Sequence, residues 1–311
     1  MTKPTPRGPG LAIVVVLLAV IALVVALQLA SHVFTQHAVA PSPVTNTGTP
    51  PADHKDSGPT KVTTQGSIGV IHWRPTARTG LPLKVLDKKW FTIGYDERRK
   101  NPAWVTYDLA GPITHPGPEP TRPATFGTDF STAAHVSHRD YTNSGFDRGH
   151  LFPAYAAWSR GGADAFTATF ICSNIIPQPH AVNAGIWEEL ETRVAGRWSA
   201  RNGQAPNGGW AETMGAVTVI NGPIYGTNPE HLRSGVTVPS VDFSVVISRT
   251  ANGCAALAFE IPNLGDPRGP LDRYLVSIKQ VEDDAGLDMF AGETAGLRAE
   301  LEPQRATAVW R

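Results

Sequence analysis

The sequence predicts an α+β fold built on an antiparallel sheet. Runs rich in β-branched and aromatic residues follow one another across short polar turns. Helical stretches are few and do not alternate with the strands. Trp90-Phe91-Thr92-Ile93-Gly94-Tyr95 and the run from Trp104 to Leu109 form the first pair of expected strands, separated by Asp, Arg, Asn and Pro. The run from Ala216 to Ile220 is another, expected to stop at Asn221-Gly222-Pro223. Phe243 to Ile247 and Ala255 to Ile261 read as two more, joined by a turn at Asn252-Gly253. The clearest expected helices run from Ala184 to about Ala200 and from Leu271 to about Asp284.

The N-terminal part reads differently. Leu11 to Ala30 is apolar except for Gln28, long enough to cross a bilayer as a helix. Lys3 and Arg7 precede it, and the next Lys or Arg is Lys55. The positive-inside bias then predicts a single-pass membrane protein with a cytoplasmic stub over 1–10, an anchor over 11–30 and the remainder on the extracytoplasmic side. The alternative is a signal peptide, cleaved to release a secreted protein. Residues 31–66, rich in Pro, Thr and Ser, have too few large apolar side chains to build a core and read as a linker. The expected folded domain is 67–311.

Charge and cysteine content narrow the function. From residue 66 onward, 23 Lys/Arg face 25 Asp/Glu, which excludes a globally basic domain that holds nucleic acid by net charge. The segment from Lys84 to Lys100 is locally basic and serves equally as a polyanion contact or a solvated face. Cys172 and Cys254 suit one disulfide or two free thiols, with Cys172 in the core-like run Phe170-Ile171-Cys172.

The chemistry concentrates at Asp147-Arg148-Gly149-His150. An imidazole can take a proton from water near neutral pH, and a guanidinium can hold phosphate oxygens. Gly149 lets the chain turn sharply or approach a ligand closely. Asn183 stands at the start of an expected helix, where it suits an N-cap as well as a metal. At 100° per residue, Asn183, Trp187 and Glu191 drift by only about 80° and share one stripe. An amide oxygen and a carboxylate facing one region, with retained waters, suit Mg²⁺. Trp187, Leu190, Val194 and Trp198 are the expected packing stripe beside them.

These residues resemble the DNA/RNA non-specific endonuclease family. The resemblance rests on Asp147-Arg148-Gly149-His150, Trp158-Ser159, Phe170 through Ile175, Pro177-Gln178, and Asn183 with Trp187 and Leu190-Glu191. It extends over roughly residues 85–291. It implies a ββα-metal finger on a central antiparallel sheet flanked by helices. It implies a metal-dependent endonuclease that cuts DNA and/or RNA with little sequence preference and leaves 5′-phosphate ends. In that resemblance His150 matches the general base, and Asn183 matches the protein ligand of hydrated Mg²⁺, with Mn²⁺ as a substitute. Glu191 matches an acid bonding the metal's waters, Arg148 and Arg122 match phosphate contacts, and Asn174 matches a further polar active-site residue. Ala184 and Ser244 depart from the family pattern, which often has glutamine and lysine there.

Other readings predict different behaviour. A catalytically weak nucleic-acid-binding relative would bind without cutting. A membrane-anchored structural domain could instead hold zinc through His135, His138, Cys172 and His180. A homodimer and a protein inhibitor are both compatible with a nuclease, and no segment encodes either surface.

Overall fold

In a computed structural model, residues 73–311 are described, apart from 79, 198–206 and 251–252. They belong to a unit spanning Val62–Arg311. The expected stub, anchor and linker lie outside the described residues, as do Trp198, Ala200 and Asn252.

The expected antiparallel sheet is present and has seven strands. In chain order they are β2 (Lys84–Asp87), β3 (Thr92–Asp96), β4 (Asn101–Ala110), β7 (Ala216–Ile224), β8 (Val241–Thr250), β9 (Gly253–Pro262) and β10 (Leu275–Val276). Their spatial order is β10-β9-β8-β7-β4-β3-β2, every neighbour antiparallel. Two short ladders stand apart from it. One joins β1 (Thr76–Ala77) to β11 (Leu287–Asp288), and the other joins β5 (Asp147–His150) to β6 (Ile175–Gln178).

Both faces of the sheet are covered, so the strand alternation sends apolar side chains into two cores. Val105, Tyr107, Val219, Val246, Leu257 and Phe259 point into one, against Phe152, Trp187, Leu190 and Val194. Trp104, Ile220, Phe243 and Val245 point into the other, against Ile278, Val281, Phe290 and Leu301. The first core carries α1 (Ala154–Ala168) and α2 (Glu188–Ala195). The short α3 (Gly209–Thr213) adds Trp210 and Ala211 to it. The second carries α4 (Ile278–Ala285) and α5 (Ala295–Leu301).

Several expected boundaries move. β7 does not stop at Asn221-Gly222-Pro223 but runs through it. The β4 pairing ends at Asn221, so Pro223 lies where no β4 ladder bond remains to be lost. The segment from Leu271 is not one helix. It is a 3₁₀ turn at Leu271–Tyr274, then β10, then α4, which starts at the N-cap Ser277, whose side chain accepts from Gln280 N. The helix expected from Ala184 begins as a wide π turn over Val182–Trp187, and α2 ends at Ala195. α1 was not anticipated: Gly161-Gly162 interrupts its pattern, and Gly162 sits at φ 69° inside it.

Candidate active site

The β5–β6 ladder and the helical segment after it form a ββα arrangement on one face of the sheet. Alternation along β5 sends Arg148 and His150 to one side, and Asp147 and Gly149 to the other. Gly149 makes no turn; it lies in extended strand opposite Ile176. A Cβ added there would lie 1.8 Å from Gln178 Oε1. Gln178 crosses the bare backbone and donates from Nε2 to Asp242 Oδ2 at 2.7 Å. The glycine therefore admits a side chain of the same molecule, not a ligand.

A cavity of about 820 Å³ opens where β5 meets the helix. Its lining brings together Arg122, Arg148, His150, Asn183 and Glu191. Asn174 is the sequence-predicted residue that the structure does not bring there. It is fully buried, its Oδ1 accepting from Phe152 N at 2.9 Å and its Nδ2 donating to Phe152 O and Thr169 O, both at 3.1 Å. The amide staples the chain just after His150. Its three bonds all go to backbone and place it in the scaffold, outside the lining of the cavity where a catalytic role was expected.

His150 is buried, with Phe126 and Phe170 ring centroids at 5.2 and 5.1 Å. Its Nε2 has no hydrogen-bond partner among the described residues. Burial, and then the Arg122 cation, hold the imidazole down to about 3, so it is neutral at neutral pH. Arg148 is fixed by donation from Nη2 to His138 O at 2.9 Å and lies 5.7 Å from the Tyr141 ring centroid. Arg122 is more open, and its Nε donates to Glu119 Oε1 at 2.7 Å.

Asp147 does not pair with His150. Its Oδ2 accepts from Asn183 Nδ2 at 3.0 Å and contacts His180 Nδ1 at 2.8 Å. Asn183 is not an N-cap; it lies within the wide turn, its backbone N–H donating to Pro179 O. With the amide nitrogen committed to Asp147, Oδ1 is left without a protein partner among the described residues. Burial pushes the Glu191 carboxyl up to about 8, against the opposing pull of Arg122, and Glu188 adds to the rise. An uncommitted amide oxygen in one cavity with a carboxyl that can give up its proton to a cation's charge is an oxygen donor set a hard divalent cation fits.

Glu188 and Glu119 also line the cavity, and sequence reasoning passed over both. Glu188 lies three residues before Glu191 on one helical face, so that spacing was an available signal, whereas Glu119 meets Arg122 in irregular chain, where spacing gives none. The basic segment from Lys84 to Lys100 is largely engaged elsewhere. Lys88 pairs with Asp129 at 2.8 Å, Lys100 donates to Ser234 O at 2.7 Å and Arg99 lies over the Tyr225 ring. The residues of the expected zinc alternative are apart in their bonding. His138 Nδ1 accepts from Phe126 N, His180 meets Asp147, and Cys172 is buried beside Val136 and Tyr141. Among the described residues no three His, Cys, Asp or Glu side chains gather as a metal site. Both cysteines are free thiols, and burial pushes Cys172 up to about 12.

Comparison with known proteins finds similar sequences and a similar fold. The model of the DNA/RNA non-specific endonuclease family matches residues 74–295. Human mitochondrial endonuclease G is 32% identical over 217 residues, 68% of this chain and 71% of its own length. The mitochondrial nuclease EXOG of Danio rerio is 27% identical over 248 residues, 70% of this chain and 64% of its own length, a little under two thirds. A solved chain from the EndoG/EndoGI complex superposes with a TM-score of 0.55 at 23% identity, covering 70% of this chain and 94% of that one, which shows the shared fold. The single-pass membrane topology expected from the sequence is corrected. Both relatives are named mitochondrial, and among the described residues no helix is long and apolar enough to cross a membrane.

Proposed function

Because this chain belongs to the DNA/RNA non-specific endonuclease family and is a nuclease, we propose that it hydrolyses phosphodiester bonds within DNA and/or RNA with little sequence preference, using Mg²⁺ and leaving 5′-phosphate ends. One observation carries the reading: His150, Arg148, Arg122, Asn183 and Glu191 line a single cavity although they come from separate parts of the chain.

Neutral His150 accepts the proton of the attacking water at its unpartnered Nε2 as the water oxygen bonds to phosphorus, the bond from phosphorus to the 3′ oxygen breaks, and that oxygen leaves with a proton from solvent. Arg148 and Arg122 hold the nonbridging phosphate oxygens, Arg148 preoriented by His138 O and Arg122 by Glu119. Asn183 Oδ1 would hold the metal ion, the Glu191 side chain would accept or donate hydrogen bonds beside it, and Asp147 keeps the amide oxygen turned to that task. When bound, the ion supplies positive charge that stabilises the pentavalent phosphate. Contacts confined to phosphate and sugar give little base preference.

The test is incubation of the purified chain with plasmid DNA and with RNA, in Mg²⁺, in Mn²⁺ and in EDTA, followed by end-group analysis. Cleavage in either metal, none in EDTA and 5′-phosphate ends support the reading. Intact plasmid and RNA after long incubation in Mg²⁺, or 3′-phosphate ends, overturn it.

A further inference from the structure

A second hollow of about 290 Å³ adjoins the cleft, sharing Thr192, Gly196 and Arg197 with it. Arg193, Arg197 and Arg311 line it, together with Trp310, and no Asp or Glu side chain does. Arg193 on α2 and Arg197 just beyond its end are exposed, and each is paired with one acid of α2, Glu189 at 3.9 Å and Glu188 at 2.5 Å. Their guanidiniums carry more donors than these single contacts use.

Trp310 is held in place by a pinned strap. Arg305 bridges to Ser277, Val309 N donates to Asp272 Oδ1 at 2.7 Å, and Trp210 Nε1 donates to Trp310 O at 3.0 Å. The Trp210 and Trp310 rings meet edge-on at 5.6 Å. Trp210 is buried, whereas Trp310 stays half-exposed at the hollow. Residues 296–311 lie beyond the segment that the family model matches.

We propose that this hollow is an extension of the cleft that holds the single polynucleotide strand running on from the cleaved phosphate, Arg193 and Arg197 pairing with its phosphates and Trp310 presenting an apolar ring face to a base. The inference rests on the nuclease reading above. Its physical basis is the pairing of a positive track with an aromatic platform, the combination that holds single strands without reading their sequence. Charge complementarity and continuity with the cleft set the occupant.

The test compares wild type with Trp310→Ala, Trp310→Phe and Arg193→Ala. Binding of a fluorescent single-stranded 16-mer and of a dinucleotide is followed by anisotropy in EDTA, where no turnover occurs, across a salt series. Hydrolysis of bis(p-nitrophenyl) phosphate in Mg²⁺ is measured alongside. Trp310→Ala is expected to weaken 16-mer binding at least about fivefold, with Trp310→Phe restoring most of it. Arg193→Ala is expected to reduce the slope of log K against log salt by about 0.7. Dinucleotide binding and hydrolysis of the aryl diester remain as in wild type. Equal 16-mer affinity and salt slope in wild type and Arg193→Ala overturn the proposal, as does an equal loss on the dinucleotide or no 16-mer binding by wild type. Arg193 is exposed on α2, so its variant decides the matter even if Trp310→Ala fails to fold. A wild-type enzyme that binds the 16-mer but cleaves no phosphodiester in Mg²⁺ refutes the nuclease reading and leaves the groove standing.

Discussion

Asn183 Nδ2 donates to Asp147 Oδ2 at 3.0 Å, and that bond decides which way the amide of the proposed metal ligand points. Removing Asp147 frees the amide to rotate and present its nitrogen instead. Asp147→Ala is therefore expected to raise the Mg²⁺ concentration for half-maximal cleavage by about 10–100-fold, the usual cost of losing a partner that orients a ligand. Rates at saturating metal fall much less. A titration with an unchanged Mg²⁺ midpoint would count against Asn183 as the ligand.

Gly149→Ala tests the packing beneath the same strand. The added methyl would overlap Gln178 Oε1, Cδ and Cγ at 1.8, 2.3 and 2.6 Å. Gln178 cannot retreat without giving up its bond to Asp242. The substitution is expected to destabilise the chain by about 1–3 kcal/mol, as overpacking does, and to displace Arg148 and His150 on the same strand. Calorimetry and plasmid cleavage would both register it. Wild-type stability together with wild-type cleavage would mean that the Gln178 crossing is not needed.

Asp242 gives stability a pH signature. Burial pushes its carboxyl up to about 8, against the opposing Gln178 bond. The folded chain keeps a proton that the unfolded chain releases near pH 4. This contribution to stability is complete below about pH 4 and is lost as pH rises through about 8. Thermal melting between pH 4 and 9 is expected to decline less steeply for Asp242→Asn than for wild type. Parallel curves would show that the carboxyl does not hold that proton.

Asn174 separates scaffold from chemistry. Losing its three buried bonds to Phe152 and Thr169 is expected to cost about 1–3 kcal/mol. If the side chain only staples the loop after His150, Asn174→Ala lowers the melting temperature, and lower assay temperature recovers most of the lost cleavage. A large loss of cleavage at unchanged stability would put Asn174 back at the reacting phosphate.

Much of this molecule was legible in its sequence, and the gaps have physical causes. β-branched runs marked the sheet because side-chain period and composition agree in β4, β8 and β9. Arg148 and His150 were legible as a pair from their residue types, but not as neighbours on one strand face, because a turn at Gly149 was expected where β5 runs straight. Asn183 and Glu191 do line one cavity, yet the regular helical spacing used to join them was not the true path. A π turn over Val182–Trp187 replaces the even 100° step, and such turns depend on tertiary contacts that no local pattern encodes. α1 was hidden because adjacent glycines break its periodicity. The role of Gly149 was out of reach because Gln178 and Asp242 are far from it in sequence. The apolar run over 11–30 was read from length and hydropathy alone, which mark a segment able to span and do not establish where the protein resides.

The central claim is that His150 activates water in the cavity it shares with Arg148, Arg122, Asn183 and Glu191. The most direct measurement is the initial rate of plasmid cleavage by His150→Ala beside wild type in saturating Mg²⁺, with folding verified by calorimetry. A general base contributes about 10²–10⁴-fold, and a loss of that size in a folded variant is the expected result. A folded His150→Ala enzyme that cleaves at a rate near wild type would contradict the assignment.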